Sequence, residues 1–211
     1  MTINRGDVTV YIVDDEYPVR DSLSMLIQTE GLTTKSYDSA LEFLKNYQPE
    51  QPACLVLDVS MPEMDGIELQ HELKENNINI PTIFISGHGD VPMTAKAFRE
   101  GAVDFFEKPF NDQLLLQRIN ETVSKVIDAW QERCKKQQIK QCYASLTERE
   151  KEVMKLIVSN HSNKQAARIL GISNRTVDVH RAHVMEKMEA ESLSDLIVKA
   201  IVCGILYEDN D

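Results

Sequence analysis

The chain has 211 residues, of which 42% are hydrophobic and 27% charged, and its formal net charge is −11. This composition is typical of one or two globular domains and excludes disordered, collagen-like and coiled-coil rod proteins. No apolar run approaches the roughly 18 residues that span a bilayer, and the N-terminus lacks the apolar core of a signal peptide. We therefore expect a cytoplasmic protein with no membrane partner, whose four dispersed cysteines are free thiols.

The charge is distributed unevenly along the chain. Residues 1–122 carry 9 lysines and arginines against 21 acids, residues 123–188 carry 13 against 7, and residues 189–211 carry 1 against 6. An acidic half followed by a basic segment indicates two domains with different partners. We expect a first domain over 1–122, a linker over 123–144 that begins as a helix, and a second domain over 145–211.

The first 120 residues alternate short apolar segments with amphipathic stretches. The apolar segments predict strands, and the stretches between and after them have helical spacing. Strands are expected at Val8–Val13, Thr33–Tyr37, Cys54–Leu57, Thr82–Ile85 and Val103–Phe106, and helices at 17–30, 39–47, 65–76, 91–100 and from about 111. Since the central segments are continuously apolar, they predict an α/β fold with a five-stranded, parallel, doubly wound sheet.

The fifth helix is expected to continue past the first domain. Ile119, Val123, Val126 and Trp130 follow one another at spacings of 4, 3 and 4, which extends an apolar seam into the linker. The chain becomes polar after Cys134, so we expect the seam to end there.

The second domain is expected to be all-α with four helices. Its helix starts are marked by two capping-box pairs and two further serine N-caps, namely Thr147 with Glu150, Ser162 with Gln165, Ser173 and Ser192. Helix 163–170, a turn at Gly171 and helix 174–188 have the proportions of a helix-turn-helix. The predicted core contains Ile169, Ile172, Val177, Val184 and Met188.

Polar residues stand at the carboxyl ends of the predicted strands. Asp14 and Asp15 follow the first strand, Asp58 the third, Ser86 the fourth and Lys108 the fifth. Ligands bind at this edge of an open parallel sheet. Three carboxylates repel one another unless a cation is present, and all-oxygen ligation suits Mg²⁺. A carboxylate beside Mg²⁺ and a lysine can attack a phosphoryl group, so the pattern indicates phosphorylation of an aspartate.

Four motifs at these strand ends are Asp14-Asp15, Asp58-Val59-Ser60-Met61-Pro62-x-x-x-Gly66, Ser86-Gly87-His88 and Lys108-Pro109-Phe110. Over residues 7–122 they resemble the receiver domain of bacterial two-component response regulators, which has a flavodoxin-like fold. The resemblance implies that Asp58 accepts a phosphoryl group from a sensor histidine kinase and that Lys108 contacts it. It also implies Mg²⁺ ligation by Asp15, Asp58 and the carbonyl of Ser60, with Asp14 beside them. The runs Gly87–Met93 and Gly101–Phe110 are similar to the FixJ subgroup.

The same resemblance implies a switch made by Ser86 and Phe105. Phosphorylation of Asp58 would draw in the serine hydroxyl and let the aromatic ring turn inward. The face formed by the fourth helix, fifth strand and fifth helix would change, and phosphorylation would produce a homodimer.

Three motifs of the second domain are Leu146-Thr147-x-Arg149-Glu150-x-x-Val153, Asn163-Lys164-x-Ala166-Ala167-x-x-Leu170 and Ser173-x-Arg175-Thr176-Val177-x-Val179-His180. They are similar to the LuxR/NarL-type DNA-binding domain. The likeness implies that helix 174–188 enters the major groove of promoter DNA and that helix 192–204 forms a dimer contact. RNA polymerase is a further candidate partner.

The residues expected at DNA lie on the helix-turn-helix. They are Asn163, Lys164, Arg175, Thr176, Asp178, Val179, Arg181, Ala182 and Lys187. Related regulators often carry lysine at the positions of Asp178 and Ala182. Two hypotheses stay open for Asp178: it accepts from a cytosine amino group, or it neutralises Arg175 or Arg181 across a helical turn.

Two alternative functions fit parts of the sequence. An aspartyl-phosphate phosphohydrolase typically needs a second acid two residues after its nucleophile, where this chain has Ser60, so we expect a non-enzyme with at most self-catalysed phosphorylation and dephosphorylation. A receiver that controls a protein- or RNA-binding domain is a second alternative. His180 and His183 have the spacing of a metal-binding pair, but the sequence shows no third ligand near them. We therefore expect polar packing in the core or a backbone contact for these histidines instead of metal binding.

Overall fold

The computed structural model describes residues 3–48, 51–87 and 91–205. The chain divides into two compact units, Met1–Gln131 and Glu132–Asp211. Within the described ranges, no helix combines the length and the apolarity needed to cross a bilayer.

The first unit is built around a parallel sheet of five strands in the order β2-β1-β3-β4-β5. The strands are β1 Thr9–Val13, β2 Thr33–Tyr37, β3 Ala53–Asp58, β4 Thr82–Ser86 and β5 Asp104–Glu107. The helices are α1 Tyr17–Gln28, α2 Ala40–Asn46, α3 Gly66–Glu75, α4 Val91–Arg99 and α5 Asp112–Ala144. This strand order is that of flavodoxin-like folds, so the predicted α/β class is confirmed.

Both faces of the sheet are covered, which explains the continuously apolar strands. Leu55, Leu57 and Phe84 pack on the side of α2, α3 and α4, where Phe43 and Leu69 are buried. The opposite side holds alternate strand residues with α1 and the first half of α5, among them Ile12, Val56, Ile83, Leu23 and Ile119. Burial of alternate residues on two faces fixes the register of each central strand.

Helix α5 extends further along the chain than its apolar seam predicted. The seam was expected to end at Cys134, but the helix continues to Ala144. Val126 is still buried in the core of the first unit, whereas Ile139, Cys142 and Tyr143 pack against the core of the second unit. The helix therefore carries a second apolar seam that the polar residues after Cys134 concealed. The limits at residues 122 and 145 stay a prediction.

The second unit contains α6 Glu148–Val158, α7 Asn163–Leu170, α8 Asn174–Lys187 and α9 Leu193–Val202. All four predicted N-caps are confirmed, since each side chain accepts a hydrogen bond from a first-turn amide of its helix; they are Thr147, Ser162, Ser173 and Ser192. Gly171 ends α7 with φ +65°, a left-handed conformation that glycine adopts without strain.

The prediction of the helical core was wrong for one residue. Ile169 is 57% exposed, whereas Val177, Val184 and Met188 are buried and Ile172 is half-buried. On α7 the inward face is set by Ala166, Ala167 and Leu170. Ile169 is rotated by about 100° from the centre of that face, because each helical residue turns by about 100°.

Candidate functional site

The carboxyl ends of β1, β3 and β5 bring two buried carboxylates to one ammonium group. Val13 is paired with Leu57, so the next residues, Asp14 and Asp58, leave neighbouring strands side by side. Lys108, just after β5, places its Nζ 2.7 Å from Asp14 Oδ2 and 3.1 Å from Asp58 Oδ1. Asp14 is 0% exposed and Asp58 is 3% exposed. The predicted convergence of these side chains on one place is therefore present.

The electrostatics of this pocket leave it short of positive charge. The pKa of Asp58 is raised to about 6, chiefly by burial and also by the nearby Asp14, while Lys108 and the Ser60 amide oppose the rise. Burial lowers the pKa of Lys108, but its hydrogen bond with Asp14 and its ion pair with Asp58 outweigh burial, and its pKa is raised. Two carboxylates thus share one ammonium, and an all-oxygen donor set with excess negative charge fits Mg²⁺.

The backbone around the pocket holds both carboxylates in place. The Ser60 amide donates to Asp58 Oδ2 at 3.0 Å, and the Glu16 amide donates to Asp14 Oδ1 at 2.8 Å. Gly66 begins α3 so close to β3 that a Cβ atom there would lie 2.1 Å from the carbonyl oxygen of Asp58. Glycine is therefore required for this approach, a role that the sequence motif did not reveal.

The helix-turn-helix presents a polar outer surface. Lys164, Arg175, Asp178 and Ala182 are exposed, and Val179 is 49% exposed. These positions of α7 and α8 are open to a partner, as the predicted contact with DNA requires.

Both units match known families. Residues 10–120 match the response regulator receiver domain, and residues 144–200 match the luxR family of bacterial regulatory proteins. The chain belongs to the response regulators with a LuxR-type DNA-binding domain. It is a two-component transcription factor rather than a classical enzyme.

Close relatives support this assignment over nearly the whole chain. The response regulator protein TodT of Pseudomonas putida is 43% identical over 188 residues, which cover 89% of this chain and 83% of TodT. The transcriptional regulatory protein FixJ of Rhizobium meliloti is 43% identical over 198 residues, 94% of this chain and 97% of FixJ. The solved structure of the response regulator StyR matches with a TM-score of 0.86 and 41% identity, covering 92% of this chain and 98% of that one.

The other predicted residues of the receiver pocket differ in how deeply they are buried. Ser86 is wholly buried, its carbonyl accepts from the Lys108 amide at 2.7 Å, and its hydroxyl lies 4.0 Å from the sulfur of Met93. Phe105 is half-buried and packs against the core on the α2–α4 side. Asp15 is exposed. Residues 88–90 of the predicted FixJ-like motif lie outside the described residues.

The response regulator holds Asp178 in a network that the sequence did not predict. Asn163 donates to Asp178 Oδ1 and accepts from Arg181 Nη1 at 3.1 Å. The aspartate is therefore linked to Arg181 through an amide side chain. Both Asn163 and Arg181 were expected at DNA, and hydrogen bonds within the protein orient their side chains. Thr176 is half-buried beside the Ser173 cap.

Lys187 has a contact within the second unit that the sequence did not predict, and its expected contact with the DNA backbone stays a prediction. Its Nζ donates to Glu150 Oε2 at 2.7 Å, and the Glu150 side chain is only 4% exposed. This hydrogen bond is the largest cause that lowers the pKa of Glu150 to about 2. The capping-box spacing identified Glu150, but no local signal in the sequence connects it with a lysine 37 residues later.

Proposed function

We propose that Asp58 accepts a phosphoryl group from a sensor histidine kinase in a Mg²⁺-dependent reaction, and that the phosphorylated regulator binds promoter DNA as a dimer. The observation that carries this proposal is the placement of Lys108 between buried Asp14 and Asp58, with Nζ 2.7 Å and 3.1 Å from their oxygens. A cytoplasmic location and a contact with RNA polymerase are part of the same proposal.

The side chains of the pocket have complementary tasks in this reaction. With a pKa of about 6, Asp58 is largely ionised at neutral pH and is a nucleophile. Its oxygen bonds to phosphorus while the phosphorus–nitrogen bond of the phosphohistidine breaks, and the electron pair stays on the imidazole. The ammonium of Lys108 then pairs with a phosphoryl oxygen in place of the Asp58 carboxylate.

Asp14, Asp15, Asp58 and the carbonyl of Ser60 are the groups that would hold Mg²⁺. An ion held there would neutralise charge on the transferred phosphoryl group. The Asp14 carboxylate, 2.7 Å from Lys108 Nζ, raises the pKa of that lysine and so favours its protonated form during the transfer.

The surface near α4 and α5 supports a dimer that depends on phosphorylation. Val91 is 83% exposed, Phe98 47% and Leu114 57%. Exposed apolar side chains on these two helices are suited to a partner surface. Ser86 at the end of β4 and Phe105 on the neighbouring strand β5 are the proposed switch residues. Through α8, the dimer would place two recognition helices on DNA.

Intact-mass spectrometry tests the proposal directly. The full chain is incubated with a small acyl phosphate and Mg²⁺, and the mass of one phosphoryl group is expected to be added. Asp58→Asn should remove this addition, whereas Asp38→Asn, a change at an exposed aspartate, should retain it. Equal labelling of Asp58→Asn and wild type would reject Asp58 as the acceptor.

A further inference from the structure

Helices α6 and α8 bring three potential metal ligands together in the second unit. Glu150, His180 and His183 each offer one ligand atom, and these atoms all lie within 4.8 Å of one another. The two histidines are three residues apart on α8 and therefore share one side of that helix. The third ligand that the sequence did not reveal comes from the start of α6.

The carboxylate of Glu150 divides its two oxygens between different tasks. Oε2 accepts from the Thr147 amide at 2.8 Å and from Lys187 Nζ at 2.7 Å. Oε1 faces His183, with 3.6 Å between Oε1 and Nδ1. That separation is too long for a hydrogen bond but suits two ligands of one ion. One oxygen therefore maintains the fold, and the other is directed towards the imidazole.

His180 provides a second and independent observation. Its Nδ1 is buried and has no hydrogen-bond partner among the described residues. A buried polar atom without a partner is uncommon in a folded protein and calls for an explanation such as an ion. His183, by contrast, has a side chain that is 52% exposed, which leaves a route by which an ion can enter.

We propose that Glu150, His180 and His183 form a binding site for a borderline divalent transition ion, with Zn²⁺ as the best fit. Two imidazoles and one carboxylate are a ligand set that suits Zn²⁺, with water in the fourth position. The bound ion joins the recognition helix α8 to α6 and thereby stiffens the part of the domain that meets DNA. The site is distinct from the receiver pocket, whose oxygen ligands suit Mg²⁺.

The nearby ammonium of Lys187 limits the affinity of this site. It lies 2.7 Å from Glu150 Oε2 and therefore opposes the approach of a cation. The site is expected to bind Zn²⁺ less tightly than a structural zinc site, and the folded domain does not require the ion.

Isothermal titration of the full chain with Zn²⁺, in excess Mg²⁺ to fill the oxygen site, tests the proposal. Wild type is compared with His183→Ala and His180→Asn over Zn²⁺ concentrations up to about 100 µM, a range that includes weak sites. The matched control is His71→Ala in the receiver. His71 Nδ1 also lies 3.6 Å from a glutamate oxygen, that of Glu100, and Lys74 is likewise next to that glutamate.

Wild type and His71→Ala are expected to bind one Zn²⁺. Each α8 substitution should weaken the affinity for this ion by at least about tenfold, because one ligand is lost. Co²⁺ in place of Zn²⁺ should give a visible d–d absorption that is lost in His183→Ala. Zn²⁺ should raise the thermal unfolding midpoint of wild type but not that of His183→Ala. Equal Zn²⁺ affinity in wild type and both α8 variants, with all of them folded, would overturn the proposal.

Discussion

Lys108 of the receiver and Lys187 of the helical unit each lie against a buried carboxylate, with Nζ 3.1 Å from Asp58 Oδ1 and 2.7 Å from Glu150 Oε2. The pKa values of the two carboxyl groups are nevertheless shifted in opposite directions. Burial raises the pKa of Asp58 to about 6, whereas the hydrogen bond with Lys187 lowers the pKa of Glu150 to about 2. The same pair of chemical groups therefore gives two different kinds of site.

The difference follows from how many partners each carboxylate has. Asp58 shares Lys108 with Asp14, whose oxygen is closer to the lysine at 2.7 Å. The Glu150 carboxylate has Lys187 to itself and also accepts a hydrogen bond from the Thr147 amide. A carboxylate that shares its lysine with a second carboxylate is suited to bind Mg²⁺ and to react. Glu150, whose Oε2 is compensated by Lys187, instead stabilises the fold and has only Oε1 left for the proposed weak metal site.

The largest expected effect separates the two lysines by their roles. Lys108→Met should slow phosphorylation by a small acyl phosphate by about 100-fold or more, because the charge that faces the transferred phosphoryl group is lost. Lys187→Met should leave this rate unchanged and lower the stability of the helical unit. A time course by intact-mass spectrometry measures both rates. If Lys108→Met reacts at the wild-type rate, Lys108 has no part in the transfer.

Neutralising each carboxylate should change stability in opposite directions. A rise of the Asp58 pKa from 3.8 to about 6 corresponds to roughly 3 kcal/mol of destabilisation at neutral pH as an upper figure. Asp58→Asn is therefore expected to stabilise the receiver by about 1–3 kcal/mol. Glu150→Gln should destabilise the helical unit by about 1–2 kcal/mol, since a buried acceptor of a lysine is weakened.

Urea unfolding, monitored by hydrogen exchange in each unit, measures these two changes separately. Asp38→Asn is the control for the receiver, because that aspartate is exposed. The comparison fails if both neutral variants destabilise their units to the same extent.

The stability of the two units should depend on pH with opposite signs. The folded receiver holds the Asp58 proton up to about pH 6, against an ordinary pKa of 3.8, so its unfolding free energy falls as pH rises between these values. Glu150 contributes stability that is present above its ordinary pKa of 4.5 and lost as pH falls towards 2. The difference in stability between wild type and each neutral variant, followed against pH, isolates these contributions. A flat difference in either window contradicts the assigned shift.

The smallest effect is expected at Asp178. Because Asn163 links it to Arg181, its removal should change affinity for every operator sequence alike, with a gain of about 1 kcal/mol or less from the lost repulsion with phosphates. Arg175→Ala is the reference and should weaken all operators and reduce the salt dependence. Competition binding to operator variants is the measurement. A loss confined to one cytosine-containing base pair would instead establish base readout.

The sequence predicted features that depend on neighbouring residues better than those that depend on distant ones. Strand ends such as Tyr37 and the cap at Ser173 were located because alternation and capping are local patterns. The pocket was predicted because strand topology brings Asp14, Asp58 and Lys108 to one edge.

The features that were missed depend on packing between distant segments. Ile169 was expected in the core because its spacing is helical, but Ala167 and Leu170 determine which side of α7 is buried. The contact of Glu150 with Lys187 joins residues 37 positions apart on different helices. No periodicity in the sequence reports such a contact, so a structural role for Lys187 could not be predicted.

Measurement of the carboxyl pKa values tests the central claim, which is that the pKa of Asp58 is raised and the pKa of Glu150 is lowered. Carbon-detected NMR titration of the full chain in Mg²⁺-free buffer, with Asp58→Asn and Glu150→Gln to assign the signals, gives both values from one sample. The account predicts that Asp58 titrates near pH 6 and Glu150 near pH 2. Titration of Asp58 at or below its ordinary value of 3.8 would contradict it.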